Sequence, residues 1–165
     1  IEVRNRKSNS MTCGILQSCE IEMEMRMKME NETMIEMAIA ARKMSYSPYS
    51  GFAVGACLKA GSGKLYTGCN IENAGYTATN CAERTAFFKA VSEGERGFEK
   101  IVIVGGEKEI ADFCPPCGVC LQVMMEFCNP ETFQIVLPNK SGDTQEFLLK
   151  ELLPKGFGPL NLSKE

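Results

Sequence analysis

Two short cysteine-bearing stretches constrain this chain more than anything else in it: Cys81-Ala82-Glu83-Arg84 and Pro116-Cys117-Gly118-Val119-Cys120. Each places thiols where a helix is expected to begin, and together they offer three sulfurs and one carboxylate. Three protein ligands with a fourth place left open is the arrangement of a catalytic zinc, whereas four closed ligands make a structural one. Glu83 follows the first thiol by two residues, so it is able to face the open place without binding the metal. A carboxylate that shuttles protons for a metal-activated water needs that position.

Other readings of the cysteines stand beside this one. A lone C-x-x-C also serves as half of a structural zinc site or as a redox pair. Cys114-Pro115-Pro116-Cys117 has that spacing too and imitates a thioredoxin-like motif. Such motifs open a helix that follows a strand. Here the segment before Cys114 is polar, and the amphipathic pattern starts only after Cys117. Cys117 and Cys120 are therefore assigned to the metal, and Cys114 is read as a bystander. A zinc-stabilised binding module without chemistry is the alternative from another class. It leaves Glu83 without a purpose and has no fourth ligand unless Cys114 is drafted.

At 165 residues the chain fits one domain with a substantial core. A net charge of -3, with no local Lys/Arg cluster, argues against a nucleic-acid footprint and for a small-molecule partner. Nine cysteines would suggest disulfides in a secreted chain, but the number is odd and three have metal spacing. Cys57 and Cys69 fall in apolar strand-like runs, where a buried thiol behaves as a small hydrophobe. No apolar run reaches membrane-spanning length. The basic start, Arg4 to Lys7, leads into polar residues, and Leu16-Gln17-Ser18-Cys19 lacks the apolar region of a lipoprotein leader. The expected setting is cytoplasmic and reducing.

Residues 1–30 differ from the rest and are expected to form an N-terminal extension, disordered or partly helical, before a domain at 31–165. Residues 21–29 alternate apolar and charged, formally a strand pattern, yet Met and Glu favour helix. A helix is predicted over 31–44, capped by Asn31, with Met34, Met37, Ala38, Ala41 and Met44 as its apolar face. A hairpin of strands at 52–59 and 64–70 follows, then a first metal helix over 81–92. A buried strand at 101–104, a second metal helix over 117–127, a strand at 132–137 and a strand or helix at 145–153 complete the pattern. This order predicts an α/β fold, a three-layer α/β/α sandwich around a mixed five-stranded sheet.

These residues carry a resemblance. From about residue 34 to 160 the chain resembles the cytidine deaminases of the small, homotetrameric, three-cysteine zinc type. The resemblance lies in Ala41-Arg42-Lys43, Tyr49-Ser50-Gly51-Phe52, Val54-Gly55-Ala56, Gly68-Cys69-Asn70-Ile71-Glu72-Asn73, both cysteine motifs, Leu152-Leu153-Pro154 and Phe157. A metal site of this kind with a non-ligand Glu is common to zinc-dependent nucleobase deaminases. The resemblance implies one Zn²⁺ per subunit on Cys81, Cys117 and Cys120, with Glu83 as proton shuttle. It implies that Phe52 packs on the nucleoside, that Asn70 and Glu72 hold the ribose 3′-hydroxyl, and that the Ala82 backbone meets the pyrimidine edge. Phe157 of a neighbouring subunit would close the pocket, with Tyr76 at that shared interface, in a homotetramer.

The implied reaction is hydrolysis of cytidine or deoxycytidine to uridine or deoxyuridine plus ammonia, in pyrimidine salvage. Zinc-activated water would attack C4 while Glu83 protonates ring N3 and then the departing amine. An Asn and a Glu facing a sugar select for its hydroxyl, because unpaired buried polar groups reject a ligand without one. Before the resemblance is counted, the same pair equally fits a loop with Asx-turn chemistry. Three thiolates leave zinc with formal charge -1, which two helix N-termini and Arg84 would offset. A solvated surface position is the commoner fate for an Arg. The chain departs from the family at Leu121, where a second Arg is usual. A deaminase of a modified nucleoside such as blasticidin S is the nearest enzymatic alternative, against which the Tyr-Ser-Gly-Phe and Asn-Ile-Glu-Asn segments speak.

Overall fold

A computed structural model of the chain describes residues 9–162. The chain divides into two units, Ile1–Thr33 and Met34–Glu165. Helix α1, Asn9–Arg42, runs through the position expected as its cap, so Asn31 lies inside the helix. The cause is composition: after Gly14 nothing breaks the helix, and Met and Glu propagate it despite their alternation. Of the extension expected to be disordered or partly helical, residues 9–30 are helical and residues 1–8 lie outside the described residues. Met23, Met25, Met27 and Met29 are all exposed, as alternation on a helix requires when it distributes apolar groups around the axis. Met44 is also exposed and falls beyond the helix end, so it does not belong to the buried face that Met34 and Ala38 form.

The second unit carries five strands, β1 (Ala53–Ala60), β2 (Leu65–Cys69), β3 (Phe98–Gly106), β4 (Gln134–Pro138) and β5 (Thr144–Leu148). Their order is β2-β1-β3-β4-β5. Only β3 and β4 pair in parallel, so the sheet is mixed as the pattern predicts. Helix α2 (Ala82–Ser92) follows β2, and helix α3 (Gly118–Phe127) crosses over from β3 to β4. The segment expected to be strand or helix is both, since β5 runs directly into the single-turn helix α4, Leu149–Leu152.

Period-two burial creates the layers. Ile101 and Ile103 face one core with α2 and α3, where Phe87, Phe133 and Met124 are fully buried. Val102 and Val104 face the opposite core with Met34 and Ala38 of α1. Ring contacts of Phe87 with Phe98 at 4.9 Å and with Phe127 and Phe133 hold α2 on the sheet. No helix among the described residues is long and apolar enough to cross a membrane.

Two glycines on opposite faces of the first hairpin fix how closely the helices approach it. A Cβ on Gly55 would lie 2.1 Å from the Ala38 carbonyl oxygen, and one on Gly68 would lie 2.4 Å from that of Ala82 and 2.5 Å from the Ala86 nitrogen. Backbone cannot yield as a side-chain tip does. Gly68→Ala is therefore expected to cost about 1–3 kcal/mol, as overpacking does, and to displace the start of α2. Gly118→Ala meets nothing within 4 Å and should leave the melting temperature nearly unchanged. Thermal unfolding of the two variants checks this; equal melting temperatures would remove the close approach from the account.

Candidate active site

Because β1 is antiparallel to both β2 and β3, its start lies at the same edge of the sheet as the ends of β2 and β3. The helices α2 and α3 begin beyond that edge, where open α/β sheets place ligands. Cys81 and Cys117 are the N-cap residues of α2 and α3, both extended at φ -76° and -72°, and neither side chain caps its own helix. Their sulfurs are thus left for another partner. Cys120 sits in the first turn of α3 and is buried.

The Sγ atoms of Cys81, Cys117 and Cys120 lie within 4.8 Å of one another. Cys81 and Cys117 are 3.8 Å apart, and Cys117 and Cys120 are 3.6 Å apart. Tetrahedral zinc with Zn–S bonds near 2.3 Å requires ligand sulfurs roughly 3.8 Å apart, so the donor set and its spacing fit that ion. Cys114 falls outside this set and lies against Gly105, beside the ring of Phe52. Burial pushes its thiol up to about 11, as expected for an inert buried group.

The thiols of the cluster act on one another. The Cys81 thiol is pulled down to about 5, first by the Cys120 thiol and then by Arg84 and Cys117. Cys120 moves the opposite way, upward, because it gives its proton to that shared interaction and is buried. Arg84 donates from Nη2 to the Thr79 carbonyl at 2.9 Å and approaches the Cys81 sulfur at 3.7 Å. Leu121 is 7% exposed and belongs to the apolar core with Met124. The position where the resemblance leads one to expect a second Arg is here part of the packing.

Glu83 lies in the first turn of α2, two residues past Cys81, and is 4% exposed. Burial raises its carboxyl to about 7, the Cys81 thiolate adds to the rise, and its own backbone N–H and the Cys120 thiol oppose it. A carboxyl that titrates near neutral pH both takes and gives a proton there. Ala82, fully buried, lies between these two residues as the first residue of α2.

A second group of residues converges on the loop before β1. Tyr46 pairs with Ile71 as a parallel bridge, and Ile71 pairs with Asn80 as an antiparallel one, which lays 45–52 beside 70–72 and both beside Cys81. Asn70 is buried. Its Oδ1 accepts from Ser45 Oγ and from the Val54 N–H, and its Nδ2 donates to the Phe52 carbonyl at 2.9 Å. Glu72 accepts from the Tyr49 and Ser50 N–H groups and from the Ser50 hydroxyl. Ser50 first, then the Tyr49 N–H, hold the Glu72 carboxyl below the usual carboxylate range. Tyr49, Ser50, Glu72, Tyr76 and Thr79 line a cleft of about 220 Å³.

Phe157 and Tyr76 are not drawn into the three-sulfur cluster. Their side chains are 57% and 82% exposed, and the Phe157 carbonyl accepts from Gln122 Nε2 at 2.9 Å. A larger cleft of about 540 Å³, between 125–130 and the tail at 156–161, contains none of the expected site residues. Sequence reasoning missed Ser45 and Ser50. The signal was present, because a Ser two residues before Phe52 with Gly51 between them is a turn in which the hydroxyl meets backbone.

The family model for the cytidine and deoxycytidylate deaminase zinc-binding region matches residues 28–136. The cytidine deaminase of Sporosarcina psychrophila is 47% identical over 135 residues, which cover 82% of this chain and 96% of that protein. That of Halalkalibacterium halodurans is 49% identical over 129 residues, covering 78% and 95%. Among solved structures, the cytidine deaminase of Burkholderia pseudomallei superimposes with a TM-score of 0.70 at 45% identity, covering 76% of this chain and 98% of that one. Sheet order, both cysteine motifs and overall likeness agree: this chain is a member of the cytidine and deoxycytidylate deaminase zinc-binding family.

Proposed function

We propose that this chain hydrolyses cytidine, and deoxycytidine, to uridine or deoxyuridine and ammonia. The observation that carries the reading is the buried Glu83, titrating near 7, two residues from one of three clustered thiols. Cys81, Cys117 and Cys120 would hold Zn²⁺, one per subunit. When bound, that ion supplies the Lewis acidity that makes water a nucleophile near neutral pH. Glu83 accepts the proton of the attacking water and delivers it to ring N3, which makes C4 electrophilic. Ionised again, it takes the proton of the new C4 hydroxyl and passes it to the amino group, which leaves as ammonia. Arg84 and the two helix N-termini offset the thiolate charge.

Phe52 packs on the nucleoside, Asn70 and Glu72 hold the 3′-hydroxyl, and the Ala82 backbone meets the pyrimidine edge. Residues 31–165 act as the deaminase domain, with 1–30 as an extension; the match of the family model from residue 28 supports that division. The setting is pyrimidine salvage in the cytoplasm, without nucleic-acid or membrane partners. An ultraviolet assay of cytidine conversion tests the activity: turnover that a zinc chelator abolishes is expected, and a folded, zinc-loaded protein without turnover would contradict it.

The working unit is a homotetramer in which Phe157 of one subunit closes a neighbour's pocket and Tyr76 lies at the shared interface. Support comes from the exposure of both rings. A ring held between Gly156 and Gly158 gains nothing by standing in water. Phe157→Ala is expected to raise KM by about tenfold, since a stacked ring contributes on the order of 1 kcal/mol beyond its buried area. Oligomers mixed from Glu83→Gln and Phe157→Ala chains would contain some pockets with both groups intact. Their activity should exceed that of either parent. No recovery after complete subunit exchange would assign Phe157 to its own subunit's site or to packing.

A further inference from the structure

We infer that Ser50 is a positioning residue, whose hydroxyl ties the sugar-facing carboxylate of Glu72 to the base-facing residue Phe52 so that the two are set as one unit. The inference rests on the proposed nucleoside reading of this site. The hydroxyl of Ser50 has one proton and two lone pairs. It gives the proton to Glu72 Oε1 and accepts the Phe52 N–H at 3.0 Å. Gly51 between them sits at φ +67°, the left-handed conformation that turns the Phe52 N–H back toward Ser50.

The carboxylate is held unevenly. The Tyr49 N–H at 2.8 Å and the Ser50 N–H at 3.2 Å both reach Oε2. Among the described residues, the Ser50 hydroxyl is the group bonded to Oε1. Two donors on one oxygen leave the carboxylate free to swing about that point. The hydroxyl removes the freedom, and a hydrogen bond to a charged acceptor is among the stronger ones available.

Phe52 is gripped on its other side by the sugar-facing amide, because Asn70 Nδ2 donates to its carbonyl while Ser45 fixes Asn70 Oδ1. Counting the remaining valences gives the purpose. The amide keeps one N–H, and the carboxylate keeps one accepting place on the oxygen Ser50 steadies. One donor and one acceptor together match a single hydroxyl, which both gives and takes. Ser50 therefore acts on discrimination of that hydroxyl, through Glu72.

The test compares zinc-loaded wild type and Ser50→Ala on 2′-deoxycytidine and 2′,3′-dideoxycytidine, with zinc content and melting temperature measured on both proteins. With 2′-deoxycytidine the variant should lose about tenfold in kcat/KM, chiefly through KM. With the dideoxy substrate, where only the tie to Phe52 is at stake, the loss should be clearly smaller, and Ser50→Thr should restore the difference between the substrates. In a Glu72→Ala background, Ser50→Ala should cost clearly less than it does alone, whatever its effect on stability. Equal losses on both substrates, no loss on either, or full additivity with Glu72→Ala would overturn the role of Ser50. A wild type that fails to distinguish the two substrates would overturn the sugar contact itself and the inference with it. Absent turnover of cytidine by wild type would instead strike at the proposed function.

Discussion

Glu83→Gln is expected to keep its zinc and its fold while losing about 10²–10⁴-fold in kcat, the range that positioned acid–base groups contribute. The amide matches the carboxylate in shape but has no proton to accept and return. Because Glu83 is 4% exposed and burial already favours its neutral form, a neutral amide costs the fold little. Loss confined to KM would show that Glu83 binds substrate without moving protons. Steady-state kinetics on protein with verified zinc content distinguishes the two. Appreciable kcat in a zinc-loaded, folded Gln variant would remove Glu83 from the mechanism.

The cysteines should separate as sharply. Cys117→Ser or Cys120→Ser is expected to lower zinc affinity by more than about 100-fold, since disturbing only a group behind a ligand already costs 10–100-fold. Cys114→Ser should retain metal and activity, because Cys114 lies outside the sulfur set and against Gly105 and Phe52. Zinc content measured after dialysis against a weak chelator checks both expectations. If Cys114→Ser is the variant that loses zinc, the ligand assignment is shifted by one thiol pair.

The parts of the fold that read clearly from sequence were those with one dominant cause. Ile101 to Val104 could only be a strand buried on both faces, and its residues alternate between the two cores. The cysteine motifs were legible because N-cap thiols and a glutamate two residues on leave few alternatives. The start of α1 was not, because Asn31 is a good cap in isolation but the Met- and Glu-rich run before it also propagates helix. Composition at residues 21–29 spoke for helix and periodicity for strand, and propensity prevailed.

Within the site, Asn70 and Glu72 could be singled out, but not the serines that orient them. A Ser carries no periodic signature, and its role depends on a turn at Gly51 and on a bridge between Tyr46 and Ile71. Leu121 is a different case. Its departure from the family pattern was visible, and its meaning lay in packing: the position faces the core with Met124.

Three thiolates and Glu83 are expected to support hydrolytic release of ammonia from cytidine. Incubating zinc-loaded protein with cytidine in ¹⁸O-labelled water, and measuring ammonia and the mass of uridine, tests it most directly. One ammonia and one labelled oxygen per uridine are expected, with loss of both on chelation and recovery when one zinc per chain is returned. Folded, zinc-loaded protein that releases no ammonia, or release that continues unchanged without the metal, would contradict it.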